Sequence, residues 1–244
     1  MNLQHVNQKF LKLFMKGYDM ITILDTTTKN PISLMGERAG ICWGSDISDP
    51  QKNYERGLDC IKSGHGRVME YVNVETVIEG YSARVIREWY THIGGAPTRL
   101  QESTRYVDCN NFKYVIPPTI KKDFSREACY VSLMAVIKNT YTKLIEDGVP
   151  KEDAAMILPL GMTTKIVDKR NLRNLVDMSR QRMCNRAYLE YRQLFGELTR
   201  ALRNYSDEWK EVVDMLFHPK CEELGYCPEY NSCGKMSKQL DKIK

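Results

Sequence analysis

Three stretches of the chain concentrate side chains able to do chemistry. The first, Ser63-Gly64-His65-Gly66-Arg67-Val68-Met69-Glu70-Tyr71, sets His65, Arg67 and Glu70 beside two glycines. The glycines let the backbone come close to a ligand, while the side chains offer a switchable donor, a cation and a carboxylate. A capped helix end with an incidental histidine would read the same way. The second runs from Arg84 to Tyr106 and places Arg84, Arg87, Arg99 and Arg105 around Gly94-Gly95-Ala96-Pro97, with Glu88, His92, Gln101, Glu102, Ser103 and Thr104 nearby. Arginine forks and loop amides match phosphate oxygens, and a glutamine can pair with a base edge, so this stretch predicts a nucleotide phosphate site over a solvated basic loop. The third is Asn171-Leu172-Arg173-Asn174-Leu175, continued by Arg180 and Arg182. Asn171 and Asn174 are one helical turn apart, so both amides can face one ligand.

The C-terminal region carries His218, Cys221, Cys227 and Cys233 in the order H-x2-C-x5-C-x5-C. Three thiolates and an imidazole would satisfy tetrahedral zinc. Cys227-Pro228 also suits iron–sulfur ligation, and a redox or disulfide pair or inert thiols are the other readings. The remaining cysteines, Cys42, Cys60, Cys109, Cys129 and Cys184, are scattered among apolar residues and are expected to be buried free thiols. The chain has no Walker loop, no G-x-G-x-x-G after a strand and no H-E-x-x-H. No cysteine in its body sits in a Cys/His setting suited to nucleophilic attack. A reaction carried by a cofactor fits this inventory.

Alternating segments must position these residues. Amphipathic helices are expected over 2–16, from the Asp49-Pro50 start to Gly64, over 83–92, and from a Ser125 cap to Glu146. Others are expected over 151–158, 171–182 and 187–203, where Tyr191, Leu194, Phe195, Leu198 and Leu202 share a stripe, and around Trp209, Val212 and Val213. Val72 to Glu79 alternates with period two, and Thr163 to Val167 is β-rich. One α+β domain over 1–217 with a cysteine-rich tail over 218–244 is the simplest account. The 244 residues carry a net charge of +5, a surplus that suits nucleotide phosphates and is too scattered for nucleic acid. No apolar run is long enough for a membrane helix and the N-terminus has no signal-peptide pattern, so a cytoplasmic location is expected.

Taken in order, the motifs resemble the flavin-dependent thymidylate synthases. The likeness runs from Gly36-Glu37-Arg38-Ala39-Gly40-Ile41-Cys42-Trp43 through SGHG…E, RxWxxH, S-x-R-Y, GVP, LPL and N-x-R to about Glu190. It implies a twisted antiparallel sheet flanked by helices, assembled as a homotetramer with active sites at subunit interfaces. It also implies reductive methylation of dUMP to dTMP, with methylenetetrahydrofolate as carbon donor and NADPH-reduced FAD as hydride source. By the same resemblance His65, Arg67, Glu70, His92, Asn171 and Arg173 would contact the cofactors. Ser103, Thr104 and Arg105, with Glu88, Arg99 and Gln101, would face the nucleotide. Arg182 would contact the pyrimidine and favour its ionised form.

The chain departs from the family pattern where RHRxxS is usual. Thr91-His92-Ile93 stands there instead, and the following loop is about two residues longer. Glu88 replaces a customary glutamine, Gln101 (or Glu102) a glutamate, and Ala155 a common arginine. Arg87 or Arg99 is expected to compensate. A flavin and folate enzyme acting on another pyrimidine, or a catalytically silent nucleotide binder, are the alternative readings.

Overall fold

Helix starts follow local chemistry. In the computed structural model, which describes residues 20–238, β1 (Ile21–Ile23) precedes α1 (Pro31–Cys42) and α2 (Pro50–Lys62). Both helices open on a proline, whose missing N–H would have no helical partner in any case. The Asp49 carboxylate caps α2 by accepting from the amides of Gln51 and Lys52. The two helices pack through Gly36 and Gly57. A Cβ on Gly36 would fall 1.7 Å from the Asn53 carbonyl oxygen, so the pair can approach this closely only without side chains there. The helix expected over 2–16 lies outside the described residues.

A 3-10 turn (Gly66–Tyr71) leads into β2 (Asn73–Ser82), α3 (Ala83–Trp89) and β3 (Thr98–Gln101). Next come α4 (Pro118–Lys121) and the 23-residue α5 (Phe124–Glu146). The cap of α5 is Asp123, which accepts from the Arg126 amide, and not Ser125, which falls inside the first turn. The helix expected over 151–158 is α6 (Lys151–Ala154) followed by a 3-10 turn at Ala155–Ile157. Leu158 is already extended because Pro159 crowds the helical conformation of its predecessor. Strand β4 (Thr163–Asn171) runs four residues past the expected stretch, then α7 (Leu172–Arg182), α8 (Leu189–Tyr205), α9 (Asp207–Leu216) and α10 (Lys220–Leu224) complete the order.

The sheet order is β1-β2-β4-β3 with every pairing antiparallel, so the α+β expectation holds. Its buried face, including Val74, Ile78 and Ile166, packs against Tyr191, Leu194, Phe195, Leu198 and Leu202 of α8 and Trp209, Val212 and Val213 of α9. Burying such side chains stabilises by about 1.5–3 kcal/mol each, which makes α8 the spine of the domain. α5 is different. It buries only Met134 and Tyr141 and leaves Phe124, Leu133 and Val136 exposed. Cys60 and Cys109 are buried as expected, whereas Cys184 is half-buried and Cys42 and Cys129, on α1 and α5, are exposed. Among the described residues no helix is long and apolar enough to cross a membrane.

Candidate active site

Strand β4 supplies the foundation. Its inward register places Thr164, Ile166, Asp168 and Arg170 in the interior, so an acid and a base occupy core positions two residues apart. Arg170 meets Asp168 with two bonds, Nε to Oδ2 at 2.6 Å and Nη2 to Oδ1 at 2.7 Å. Trp89 Nε1 donates to Asp168 Oδ1 at 2.9 Å, and Arg170 Nη1 donates to Asn174 Oδ1 at 2.6 Å. A buried pair this well satisfied offsets its desolvation and fixes geometry.

Above it lies a stack. The Arg170 guanidinium sits 4.5 Å from the Trp89 ring, Trp89 stacks on Tyr191 at 5.8 Å, and the Arg182 guanidinium sits 4.5 Å from the Tyr191 ring. Arg182 Nε donates to His92 Nε2 at 2.9 Å, and Arg182 Nη1 lies 3.5 Å from Glu88 Oε2. A guanidinium has only donors, so His92 Nε2 must be unprotonated. Burial, with Arg182 and then Arg170 adding repulsion, pushes the His92 imidazole down to about 4, and it stays neutral at physiological pH. Glu88, His92 and Arg182, drawn from two of the predicted stretches, therefore form one cluster.

Glu190 orients α3 toward this cluster. Buried, it accepts from the Ser82 amide at 2.6 Å and the Ser82 hydroxyl at 2.7 Å, while Ser82 itself caps α3. The loop after α3 closes on α7. Gly95 has φ +71°, and a Cβ there would fall 2.3 Å from Asn171 Nδ2. Its glycines thus serve close packing on the α7 cap more than approach to a phosphate.

Several expectations change. Asn171 and Asn174 do not face a ligand together. Asn171 Oδ1 caps α7 by accepting from the Asn174 amide, and Asn174 Oδ1 is taken by Arg170. Arg99 does not reach outward to replace a lost arginine. It donates to the Tyr90 carbonyl at 2.7 Å and stacks 4.6 Å from the Tyr90 ring, bracing the same loop. Arg87, by contrast, is exposed in the last turn of α3.

A second group forms at the 3-10 turn. Arg173 Nη1 lies 2.6 Å from Glu70 Oε1 and Arg67 Nη1 3.6 Å from Glu70 Oε2, with His65 Nδ1 bonded to Ser63 Oγ at 2.8 Å. A third lies beyond β3, where Ser103 Oγ accepts from the Arg105 amide and Arg105 Nε pairs with Glu152 at 2.8 Å. Thr104 shares that turn half-buried, and Gln101 Nε2 donates to Thr164 Oγ1 at 3.3 Å. Cys221, Cys227 and Cys233 share the wall of one cavity with Cys184, and His218 lies outside that wall.

Sequence reasoning missed Asp168, Arg170, Glu190 and Tyr191. One signal was available: opposite charges two residues apart in the inward register of a strand point to a buried pair.

Residues 22–206 match the sequence family described as thymidylate synthase complementing protein. The flavin-dependent thymidylate synthase of Clostridium tetani is 29% identical over 88% of this chain and 93% of its own. Those of Nitratidesulfovibrio vulgaris and Geobacter sulfurreducens are 33% and 34% identical, over 72% and 73% of this chain and 73% and 75% of theirs. The matched span contains β4, the aromatic stack and the Glu88–His92–Arg182 cluster, and the chain belongs to the flavin-dependent thymidylate synthase family.

Proposed function

We propose that the protein methylates dUMP to dTMP, taking the carbon from methylenetetrahydrofolate, with FAD reduced by NADPH as the hydride source. The observation that carries this reading is Arg182, a cation fixed between His92, Glu88 and the Tyr191 ring inside the matched span. Beside a uracil, that cation favours the N3-deprotonated ring, which raises electron density at C5 so that no protein nucleophile is needed. A neutral His92 accepts from Arg182 without competing for the anion.

The exposed edge around Gly64 fits a flavin dinucleotide in its donor set. His65, Arg67 and Arg173 offer an imidazole and two guanidiniums, and nothing lies within 4 Å of where a Gly64 Cβ would stand. These residues would hold its phosphates, and the flavin would supply the hydride once reduced. Glu70 holds Arg67 and Arg173 ready for that role. Ser103, Thr104 and Arg105 would bind the nucleotide phosphate, with Arg105 leaving Glu152 to do so.

In one chain these groups form separate clusters, and α5 leaves apolar surface to cover, with Leu133 and Val136 exposed on one side and Phe124 and Val131 on another. Both features support a homotetramer with active sites completed between subunits. A Glu88 carboxylate in place of an amide supports a second reading, a cytosine nucleotide whose exocyclic amine donates to it. The visible spectrum with FAD and then NADPH, followed by product analysis with dUMP and dCMP in parallel, tests the reading. Flavin bleaching with dTMP formation is expected. Bleaching with product only from dCMP would select the second reading, and no flavin binding at saturation would reject both.

A further inference from the structure

The tail after α9 is tied to α7 by the Arg180–Glu223 ion pair at 2.8 Å but has little core of its own. From His218 to Lys238 only Pro219 and Cys227 are buried, and beyond the five-residue α10 the backbone runs in turns. Segments this poor in core depend on a covalent or metal staple. The tail nevertheless folds back on itself, with the Cys227 amide donating to the Ser237 carbonyl at 2.8 Å and Gly225 and Gly234 both at positive φ.

Four cysteines border one small cavity at this point: Cys221, Cys227 and Cys233 from the tail, and Cys184 from just beyond α7. All four are free thiols. We propose that Cys184, Cys221, Cys227 and Cys233 bind a single zinc ion as a four-thiolate site that staples the tail to α7.

Two of the four sulfurs already have N–H partners. The Arg186 amide donates to Cys184 Sγ at 3.5 Å, and Asn185 Nδ2 donates to Cys233 Sγ at 3.8 Å, the kind of N–H···S bond that stabilises a metal-bound sulfur. Four thiolates around Zn²⁺ leave a net charge of two minus. The same wall carries Arg180, Arg186, Lys220 and Lys235 against a single acid, Glu229. Arg180 is shared with Asp177 and Glu223, and Lys235 with Glu222, which leaves Arg186 and Lys220 to meet the charge.

The room suits a single ion. The cavity has about 20 Å³ of room, and one water-sized occupant needs about 10–15 Å³. That leaves room for one ion. His218 is not a ligand in this arrangement, because its imidazole lies outside the wall and its carbonyl faces Ser179 Oγ. Among the described residues no three His, Cys, Asp or Glu side chains are already gathered tightly enough to hold a metal. Binding must therefore draw the sulfurs inward. Each thiol loses its proton to solvent as its Zn–S bond forms, four protons in all, and no electron is transferred.

The test is metal analysis and X-ray absorption on the full chain purified from zinc-supplemented cells without a metal-binding tag. We expect about one zinc per chain with four sulfur ligands at about 2.3 Å and no nitrogen shell. Cys184→Ser should lower zinc content by about tenfold or more, and His218→Gln should leave it unchanged. The absorption spectrum of the unaltered chain decides the ligand set even if Cys184→Ser fails to fold. Iron with sulfide, a nitrogen ligand lost in His218→Gln, or metal-free protein would each overturn the proposal. So would fewer than eight titratable thiols in metal-stripped, denatured protein, which would reveal a disulfide.

Discussion

Arg182 Nε and His92 Nε2 meet at 2.9 Å, joining residues 90 positions apart in sequence. The bond fixes one tautomer of the imidazole and one orientation of the guanidinium. Arg182→Gln should lower kcat/KM for dUMP by about 10²–10³, the scale of a lost charge-stabilising donor. Arg182→Lys should recover only part, because a compact ammonium lacks the planar fork that stacks on Tyr191 while reaching His92 and Glu88. Steady-state kinetics with both variants checks this, and equal activity in Arg182→Gln would remove Arg182 from the mechanism.

The same contact sets a pH dependence. Unfolded, His92 takes a proton near 6.5, and folded only near 4. Between those values the unfolded chain binds more protons, so this contribution to stability is full above about 6.5 and is lost as pH falls toward 4. His92→Gln cannot titrate, so its denaturation midpoint should fall less steeply with acid over that window. Parallel pH profiles for the two proteins would contradict a neutral buried imidazole.

Asp168→Asn should be among the most destabilising single changes in the domain. It leaves Arg170 charged and buried with half its partner gone, at a cost of about 3–5 kcal/mol. Urea unfolding would show this as a lower midpoint. Asp168→Asn together with Arg170→Met should recover a substantial part of the loss, and failure to recover would mean the pair is not the source.

Gly95→Ala should destabilise by about 1–3 kcal/mol, since it places a side chain at positive φ against Asn171. The loop must then part from the α7 cap. Asn171→Ala should reduce the penalty of Gly95→Ala in a double-mutant cycle, by removing the side chain in the way.

Arg105→Ala is expected to raise KM for dUMP with a smaller change in kcat, as befits a phosphate contact distant from C5. Glu152→Gln should move KM the opposite way, because it frees Arg105 from its present partner. A fall in kcat alone for Arg105→Ala would assign it another role.

What could be read from the sequence was local. Asp49-Pro50, the alternation through Val74, Thr76 and Ile78, and the stripe from Tyr191 to Leu202 each declare an element within a few residues. What could not be read depended on distance along the chain. Asp168 and Arg170 look like the polar end of a strand until β2 and β3 are seen on either side of β4. Glu190 looks like a first-turn surface acid until Ser82, 108 positions earlier, is placed against it. Cys184 and the tail cysteines are likewise brought together by the packing of α10 against α7, which no spacing rule anticipates.

The position of β3 carries a last consequence. It pairs with β4 on one side only, at the outer edge of the sheet, and the Gly94–Pro97 turn feeds into it from α3. Lengthening a turn at an edge costs little, since closure entropy grows only with the logarithm of loop length, and no central pairing has to slip. Asp168 and Arg170 stay in register on β4 whatever the length of that turn. A lineage of such enzymes can therefore rewrite this segment, and with it the way a ligand is gripped, while the buried scaffold beneath is inherited intact.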